Sequence, residues 1–123
     1  MGFQEKLKHL VERIEGGVAC VLMGSDGIPI DSYKAPNAHS NFDPITFGIE
    51  NTGLFHQLRQ ISSQTQFGEP TEFVIHSEDQ IAIFRFLTDE YFLLLSLTSD
   101  GNTGKGKYYL RSTAAGLEQD LFS

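Results

Sequence analysis

The first part of the chain combines one helical repeat with two short apolar runs. Apolar residues recur every three or four positions over residues 3–15, which predicts an amphipathic helix with a charged outer face. The runs "VACVLMG" and "IPIDSY" follow and are separated by "SDG". Asp-Gly between two apolar runs predicts a hairpin whose two turn residues both have positive φ. Because proline has no N–H to donate, Pro29 restricts the second strand to the edge of a sheet, or to a start just after the proline.

A long helix is predicted in the middle of the chain. Asp43 followed by Pro44 is typical of a helix N-cap and first helical position. Phe42 and Phe47 occupy the two positions at which a hydrophobic staple joins the start of a helix to the preceding residue. The helical pattern continues to about Phe67, after which glycine and proline end it.

After the middle helix the hydrophobic period changes to two. The runs "TEFVIHS", "QIAIFRFL" and "YFLLLSLT" predict three strands joined by tight links, and a final helix has apolar residues at Leu110, Ala114, Leu117 and Leu121. The order helix, two strands, helix, three strands, helix predicts an α+β fold in one domain, residues 1–123. We expect a five-stranded antiparallel sheet with the middle helix on one face and the terminal helices on the other.

The middle helix carries two apolar stripes. The stripe expected to pack on the sheet contains Phe47, Leu54, Leu58, Ile61 and Thr65. The second stripe, about half a turn away, contains Ile45, Ile49, Thr52, His56 and Arg59. Scattered apolar residues on the surface are one explanation. The interpretation we favour is a helix–helix interface, because a helix that is apolar on two sides needs two surfaces to bury them.

The strand that follows the middle helix extends this predicted interface. "TEFVIHS" is short and suits a sheet edge, and an unprotected edge can pair with its copy across a two-fold axis. Phe73 and Ile75 in this strand therefore join the second stripe in the predicted dimer or partner interface. Gly48 and Gly53 lie beside that stripe, where small residues let two helices approach closely.

Composition and charge argue against several kinds of partner. The 123 residues include 16 acidic and 9 basic ones, for a net charge of −7. This balance argues against nucleic acid or an anionic membrane as the main partner. The single cysteine, Cys20, excludes an internal disulfide framework and is expected to be a small core residue. The amphipathic start has no signal-peptide pattern and no segment is long enough to span a membrane, so we predict a cytoplasmic protein without membrane insertion.

The glycine-rich segment "SDGNTGKGKYYL" raises the question of nucleotide binding. A P-loop needs four residues between its first glycine and its Gly-Lys pair, followed by Ser or Thr, and neither condition is met here. We therefore expect a structural connection in which Gly104 and Gly106 let the last helix approach the sheet closely. The four histidines share no metal-ligand spacing and no catalytic motif is present, so no metal, cofactor or enzymatic activity is predicted.

The order of elements resembles the roadblock/LC7 family over nearly the whole chain. The resemblance rests on "GGVACVLMGSDGIPI", which is similar to the first hairpin of the family. It also rests on residues 67–111, which are similar to the family's three-stranded meander and its glycine entry to the last helix. Within the family the chain most resembles the bacterial polarity and gliding-motility members.

The resemblance implies a non-catalytic homodimer in which two middle helices pack antiparallel and the third strands join the two sheets. It implies contacts with other roadblock proteins or with a Ras-like GTPase, as an activator or as an adaptor, and concentration at a cell pole. An arginine finger would need an exposed arginine on the dimer surface, and the position of Arg59 past the middle of the helix argues against that role. The alternative from a different class is a small-molecule or nucleotide sensor that uses the loop from Gly101 to Gly106.

Overall fold

The computed structural model describes residues 2–36, 38 and 41–122, apart from the side chain of Phe122. The helices are α1 (Phe3–Glu12), α2 (Pro44–Glu50), α3 (Thr52–Thr65) and α4 (Thr103–Phe122). The strands are β1 (Gly17–Gly24), β2 (Pro29–Lys34), β3 (Glu72–His76), β4 (Gln80–Phe86) and β5 (Tyr91–Thr98).

The five strands form one antiparallel sheet in the order β2-β1-β5-β4-β3. The predicted α+β fold is therefore confirmed, and β2 begins at Pro29 on one edge of the sheet. Strand β5 lies at the centre, and every residue from Phe92 to Leu97 is buried. A strand buried on both faces explains why this part of the sequence is a continuous apolar run.

Helices α1 and α4 cover one face of the sheet. Leu7 and Leu10 of α1 pack with Leu110 and Leu117 of α4 against the side chains that β1, β4 and β5 direct to this face. Cys20 belongs to this layer and is fully buried, and burial raises the pKa of its thiol. It is a core residue, as the sequence predicted.

The opposite face carries a cluster of aromatic rings. Phe55 of α3 lies 4.3 Å from Phe86 and 5.1 Å from Phe92, measured between ring centroids. Phe84 of β4 lies 6.0 Å from Phe92. Helices α2 and α3 cover this face of the sheet. The ring of Phe55 and the rings of the three strand residues form the centre of the layer between these helices and the sheet.

The β1–β2 hairpin is present, but its turn differs from the prediction. Only Gly27 has positive φ, at +87°, and Asp26 does not. The Gly27 N–H donates to the carbonyl of Gly24 at 3.0 Å, and the Ile28 N–H donates to the carboxylate of Asp26 at 3.0 Å. One left-handed glycine after an ordinary turn also matches the twist of a hairpin, so the second positive φ is not needed.

The middle helix is not continuous, which corrects the prediction. Asn51, with φ −93° and ψ 1°, separates α2 from α3. Its side-chain amide donates to the carbonyl of Phe47 at 2.7 Å, and such local side-chain bonds compete with the helical backbone pattern. The helix also ends earlier than predicted, at Thr65, because Gln66 adopts a left-handed conformation with φ 56°.

The glycine segment before α4 is a structural connection. The side chain of Asn102 accepts a hydrogen bond from the Lys105 N–H at 3.0 Å and caps the helix. A Cβ atom at Gly106 would lie 3.1 Å from Ile83 Cδ1 and 3.2 Å from Leu97 Cδ1, so the helix contacts the sheet through this glycine. The same prediction is wrong for Gly104, where a Cβ would meet only Asn102 Oδ1 at 3.8 Å.

Replacing these two glycines by leucine should have opposite effects. Gly106→Leu forces a side chain into a packed contact and should lower the free energy of unfolding by about 1–3 kcal/mol. Gly104→Leu places a good helix former at an open position and should change it by less than about 1 kcal/mol, in the stabilising direction. Urea denaturation of the two variants measures the difference. Equal free energies of unfolding would show that Gly106 is not needed for the approach of α4 to the sheet.

Candidate functional site

The start of α2 is held by the two devices that the sequence predicted. The carboxylate of Asp43 accepts hydrogen bonds from the backbone N–H groups of Ile45 at 3.1 Å and Thr46 at 3.3 Å. The Thr46 hydroxyl and these N–H groups hold the pKa of the Asp43 carboxyl below its usual value. Because this pKa is lowered in the folded chain, the cap stabilises the fold at neutral pH and loses this effect as the pH falls through the lowered pKa. The rings of Phe42 and Phe47 lie 5.9 Å apart, which confirms the staple.

The residues of α2 and α3 that pack on the sheet lie between the two predicted stripes. Pro44, Gly48 and Phe55 are its buried residues. A Cβ at Gly48 would lie 3.0 Å from Met23 Cε, so Gly48 serves contact with the sheet rather than with a second helix. The prediction that one whole stripe faces the sheet is therefore wrong. The stripes form the two shoulders of the helices, and Ile61 and Thr65 at the end of the first stripe are exposed.

Two of the five residues of the second stripe, His56 and Arg59, are attached to the turns at one end of the sheet. The imidazole Nε2 of His56 lies 2.9 Å from the carbonyl oxygen of Ser25 in the β1–β2 hairpin. The hydroxyl of Thr52 donates to the carbonyl of Ile49 at 2.8 Å. Ile49 is 41% exposed and Ile45 packs partly against the aromatic layer. The side chains that the sequence analysis placed in one interface thus have different surroundings.

Arg59 is bound within the chain. Its Nη1 donates to Asp89 at 2.9 Å, and its Nη2 donates to the carbonyl of Thr88 at 2.9 Å. The centre of the guanidinium lies 4.8 Å from the ring centroid of Phe55 and 5.6 Å from that of Phe86. The hydrogen bonds connect α3 to the β4–β5 turn, and the guanidinium also stacks on Phe86 at the end of β4.

An open apolar face lies between the middle helices and β3. It contains the partly exposed side chains of Phe47, Leu54, Leu58, Ile61, Phe73 and Ile75. Phe84 joins its two sides, because its ring stacks on Phe73 at 4.4 Å and lies 6.1 Å from Phe47. The structure therefore brings Phe73 and Ile75 together with residues of the first stripe, which the sequence analysis had assigned to the sheet.

The signal for this arrangement was present in the sequence. The apolar positions of residues 44–61 spread over more of the helix circumference than one sheet-facing line needs. The sequence could not show which side of the helix faces the sheet. Rotation of the helix about its own axis exchanges the stripe that is buried for the one that is exposed.

The two edges of the sheet differ in how their backbone groups are paired. On β2, the carbonyl of Ser32 accepts from the Gln4 side chain at 3.3 Å, and the Ser32 N–H donates to Asp31 at 2.8 Å. At β3, the flanking residues Thr71 and Ser77 bond toward the β4 side, so the alternate residues Glu72, Val74 and His76 direct their backbone groups outward. These outward groups have no hydrogen-bond partner in the part of the chain that the structure describes. The β3 edge is therefore open and adjoins the open apolar face.

We also searched the described residues for a metal site, a membrane-spanning helix and a ligand pocket. Among the described residues, no group of three or more His, Cys, Asp or Glu side chains is placed to hold a metal ion. His39 lies outside the described residues. No helix in the described ranges is both long and apolar enough to cross a membrane. An open groove of about 1090 Å³ lies beside the end of α1 and includes Glu12, Tyr33 and Asp79, but no residue of the glycine loop lines it.

Comparison with solved structures identifies the fold and then the family. The roadblock/LC7 domain from Streptomyces avermitilis superposes with a TM-score of 0.86 over 100% of both chains, at 13% identity, which shows the fold. MglC from Myxococcus xanthus is 34% identical, with 98% of this chain and 99% of that chain covered and a TM-score of 0.68. The chain belongs to the roadblock/LC7 family.

Further roadblock structures share the fold at lower identity. The gliding protein MglB from Thermus thermophilus has a TM-score of 0.81 at 16% identity, with 97% of this chain and 91% of that chain covered. No protein-family model and no curated protein matches the sequence.

The role of Arg59 in this roadblock/LC7 protein is testable by substitution. Arg59→Ala removes a charge-assisted bond to a backbone carbonyl together with two aromatic contacts, and should lower the free energy of unfolding by about 1–3 kcal/mol. Asp89→Ala removes only the bond to a carboxylate whose side chain is 90% exposed. That variant should lose less than about 1 kcal/mol. Chemical denaturation measures both, and equal losses would show that the exposed ion pair is the main contribution of Arg59.

Proposed function

We propose that this protein is a homodimeric, non-catalytic regulator of a bacterial Ras-like small GTPase module in cell polarity or motility, acting as an adaptor. It works through protein–protein contacts of the middle helices and the adjoining β3 edge. The observation that carries the proposal is the open apolar face beside an open strand edge. Membership of the roadblock/LC7 family and the likeness to MglC support the choice of module.

The open apolar face supports self-association. Phe47, Leu58, Phe73 and Ile75 pack partly buried against the same aromatic cluster. Leu54 and Ile61 lie four and three positions from Leu58 and so share its side of α3. Contiguous exposed apolar surface on a folded protein is typical of an interaction site, since its transfer out of water is favourable. A second copy of the same face supplies an equally apolar cover, and a two-fold axis makes one patch complementary to itself.

The difference between the sheet edges supports the same arrangement. The β2 edge has its outward groups at Ser32 occupied by side chains, which hinders addition of another strand. The β3 edge has outward N–H and C=O groups at three alternate positions. Antiparallel pairing of β3 with its copy gives these groups partners and brings Phe73 and Ile75 of the two copies to the same side of the joined sheet.

The internal bonds of Arg59 support adaptor action over stimulation of GTP hydrolysis. An arginine finger must reach the phosphates of a nucleotide bound to the partner. The guanidinium of Arg59 instead donates to Thr88 and Asp89 and stacks on two rings of its own chain. Release of this side chain would cost the contacts that hold α3 to the β4–β5 turn.

Substitution of exposed isoleucines tests the dimer surface. Ile61→Glu and Ile49→Glu each place a charge on one shoulder of the middle helices, and either should raise the dimer dissociation constant at least about tenfold if its shoulder is buried in the dimer. We expect the larger effect at Ile61, because that shoulder adjoins β3. Ile28→Glu is the matched control, since Ile28 is 61% exposed in the β1–β2 hairpin.

Sedimentation equilibrium measures all of these constants, and circular dichroism checks that the variants fold. A wild-type protein that is monomeric at micromolar concentrations would contradict the proposed dimer. Equal effects of Ile28→Glu and Ile61→Glu would place the dimer contact elsewhere.

The regulatory role is tested with the Ras-like GTPase encoded in the same genome. We expect this protein to bind that GTPase, directly or through another roadblock protein, and to change single-turnover GTP hydrolysis by less than about twofold. A tenfold acceleration, equivalent to about 1.4 kcal/mol of barrier, would instead identify an activator. Absence of binding to the GTPase and to all other roadblock proteins of the organism would contradict the proposed function.

A further inference from the structure

The basic residues of this acidic protein are unevenly distributed. Three of the nine form ion pairs with carboxylates: Lys6 with Asp120, Arg59 with Asp89, and Arg85 with Glu72. Four of the others, together with two tyrosines, form what we call the basic tyrosine patch. It consists of Arg13, Lys105, Lys107, Tyr108, Tyr109 and Arg111.

Tyr109 organises one side of this patch. The guanidinium carbon of Arg13, which follows α1, lies 5.0 Å from the centroid of the Tyr109 ring, and Lys105 Nζ lies 6.0 Å from the same centroid. The ring of Tyr108 meets that of Tyr109 edge-on, with 5.3 Å between centroids. Tyr108 itself is 65% exposed. Arg13, at the end of α1, and Lys105 of α4 thus lie around the Tyr109 ring, and the exposed ring of Tyr108 lies beside it.

The other side of the patch lies along α4. Lys107 and Arg111 are four positions apart, so their side chains are neighbours on the helix surface. No Asp or Glu occurs between Gly101 and Leu117. The nearest acidic residues along the chain are Glu12, Glu15, Asp100 and Glu118, and none of them forms an ion pair with the patch in the described part of the chain. The positive charge is therefore available to a partner.

Helix stability does not explain these charges. The N-terminal end of a helix carries a partial positive charge, which favours acidic residues and disfavours lysines there. The first turn of α4 contains no acidic residue and instead includes Lys105, with Lys107 directly after it. Folding alone would favour the opposite choice at these positions.

We propose that the basic tyrosine patch docks an acidic segment of a partner protein. Carboxylates of that segment contact Lys105, Lys107 and Arg111, and an apolar side chain covers the ring of Tyr108. Tyrosine and arginine are enriched at protein interfaces, where an aromatic body is buried and a charged group gives orientation. The patch lies on the helix layer opposite the open apolar face, so the inference goes beyond the proposed dimer and does not depend on it.

The net charge of −7 favours a short protein segment over a nucleic acid or a membrane. A polyanion or a lipid surface extends beyond the patch and is repelled by the acidic remainder of the chain. A peptide segment is short enough to contact only the patch, where the local charge is positive.

Fluorescence anisotropy with a labelled helical peptide of Glu and Leu residues tests this proposal. Wild-type protein should bind this peptide, and should not bind the same peptide with Gln in place of Glu. The affinity should fall when sodium chloride rises from about 0.1 M to about 1 M, because the Debye length then shortens from about 10 Å to about 3 Å. The double variant Lys107→Gln and Arg111→Gln should bind about tenfold more weakly.

Two controls separate the patch from general electrostatics. The double variant Lys8→Gln and Lys34→Gln lowers the net charge by the same amount outside the patch and should bind as wild type does. Tyr108→Ala keeps the charge and should also weaken binding. Equal losses in the two double variants, or no binding of the acidic peptide by wild type, would overturn the proposal. Tighter binding to phosphatidylserine vesicles or to single-stranded DNA than to the peptide would assign the patch to another class of partner.

Discussion

Both faces of the central strand are apolar, and the rest of the structure depends on how each face is covered. Residues Phe92 to Leu97 of β5 are buried without interruption. Two helices, α1 and α4, pack over one face, whereas a single interrupted helix crosses the other. Burial of apolar surface is the main favourable contribution to folding, so a layer with too few helices leaves that contribution incomplete. The incompletely covered part is the one that adjoins β3.

Local backbone chemistry fixes where the interrupted helix lies on the sheet. The Asp43 cap and the staple of Phe42 and Phe47 set its start, and Asn51 redirects it after Glu50. Farther along, Arg59 attaches α3 to the β4–β5 turn. These contacts hold one shoulder of the helices against the turns of the sheet and leave the other shoulder beside β3. An arginine that maintains this geometry has a structural role.

The two helix layers present surfaces of different chemistry. The layer of α2 and α3 ends in an apolar face beside unpaired strand backbone, and contacts made there depend on desolvation and on strand pairing. The layer of α1 and α4 presents cations around Tyr109, beside the exposed ring of Tyr108, and charge-dependent contacts there are screened by salt. Because the sheet lies between the layers, the two surfaces lie on opposite sides of the domain.

The sequence by itself determined the elements of this roadblock/LC7 protein and their order. Periodicity, the Asp-Pro cap, the glycine positions and the short links are local features, and local features suffice for the helices, the strands and the antiparallel sheet. The spacing of the glycine segment predicted a structural connection rather than a phosphate site, and the contact of Gly106 with Ile83 confirms its part in packing α4 on the sheet. The conformation of the hairpin turn and the interruption at Asn51 were not predicted, because each involves a local side-chain hydrogen bond.

Only the tertiary structure decided which side of the middle helices is covered. Either of two apolar stripes on one helix can face a sheet, so the sequence does not show how the helix is rotated about its axis. The contacts of Gly48 with Met23 and of Phe55 with Phe92 set that rotation. The internal use of Arg59 and the gathering of Arg13 beside Tyr109 likewise join residues far apart in the chain. Such contacts arise from packing, since a long-range neighbour is fixed by the shape of the whole fold rather than by the adjoining residues.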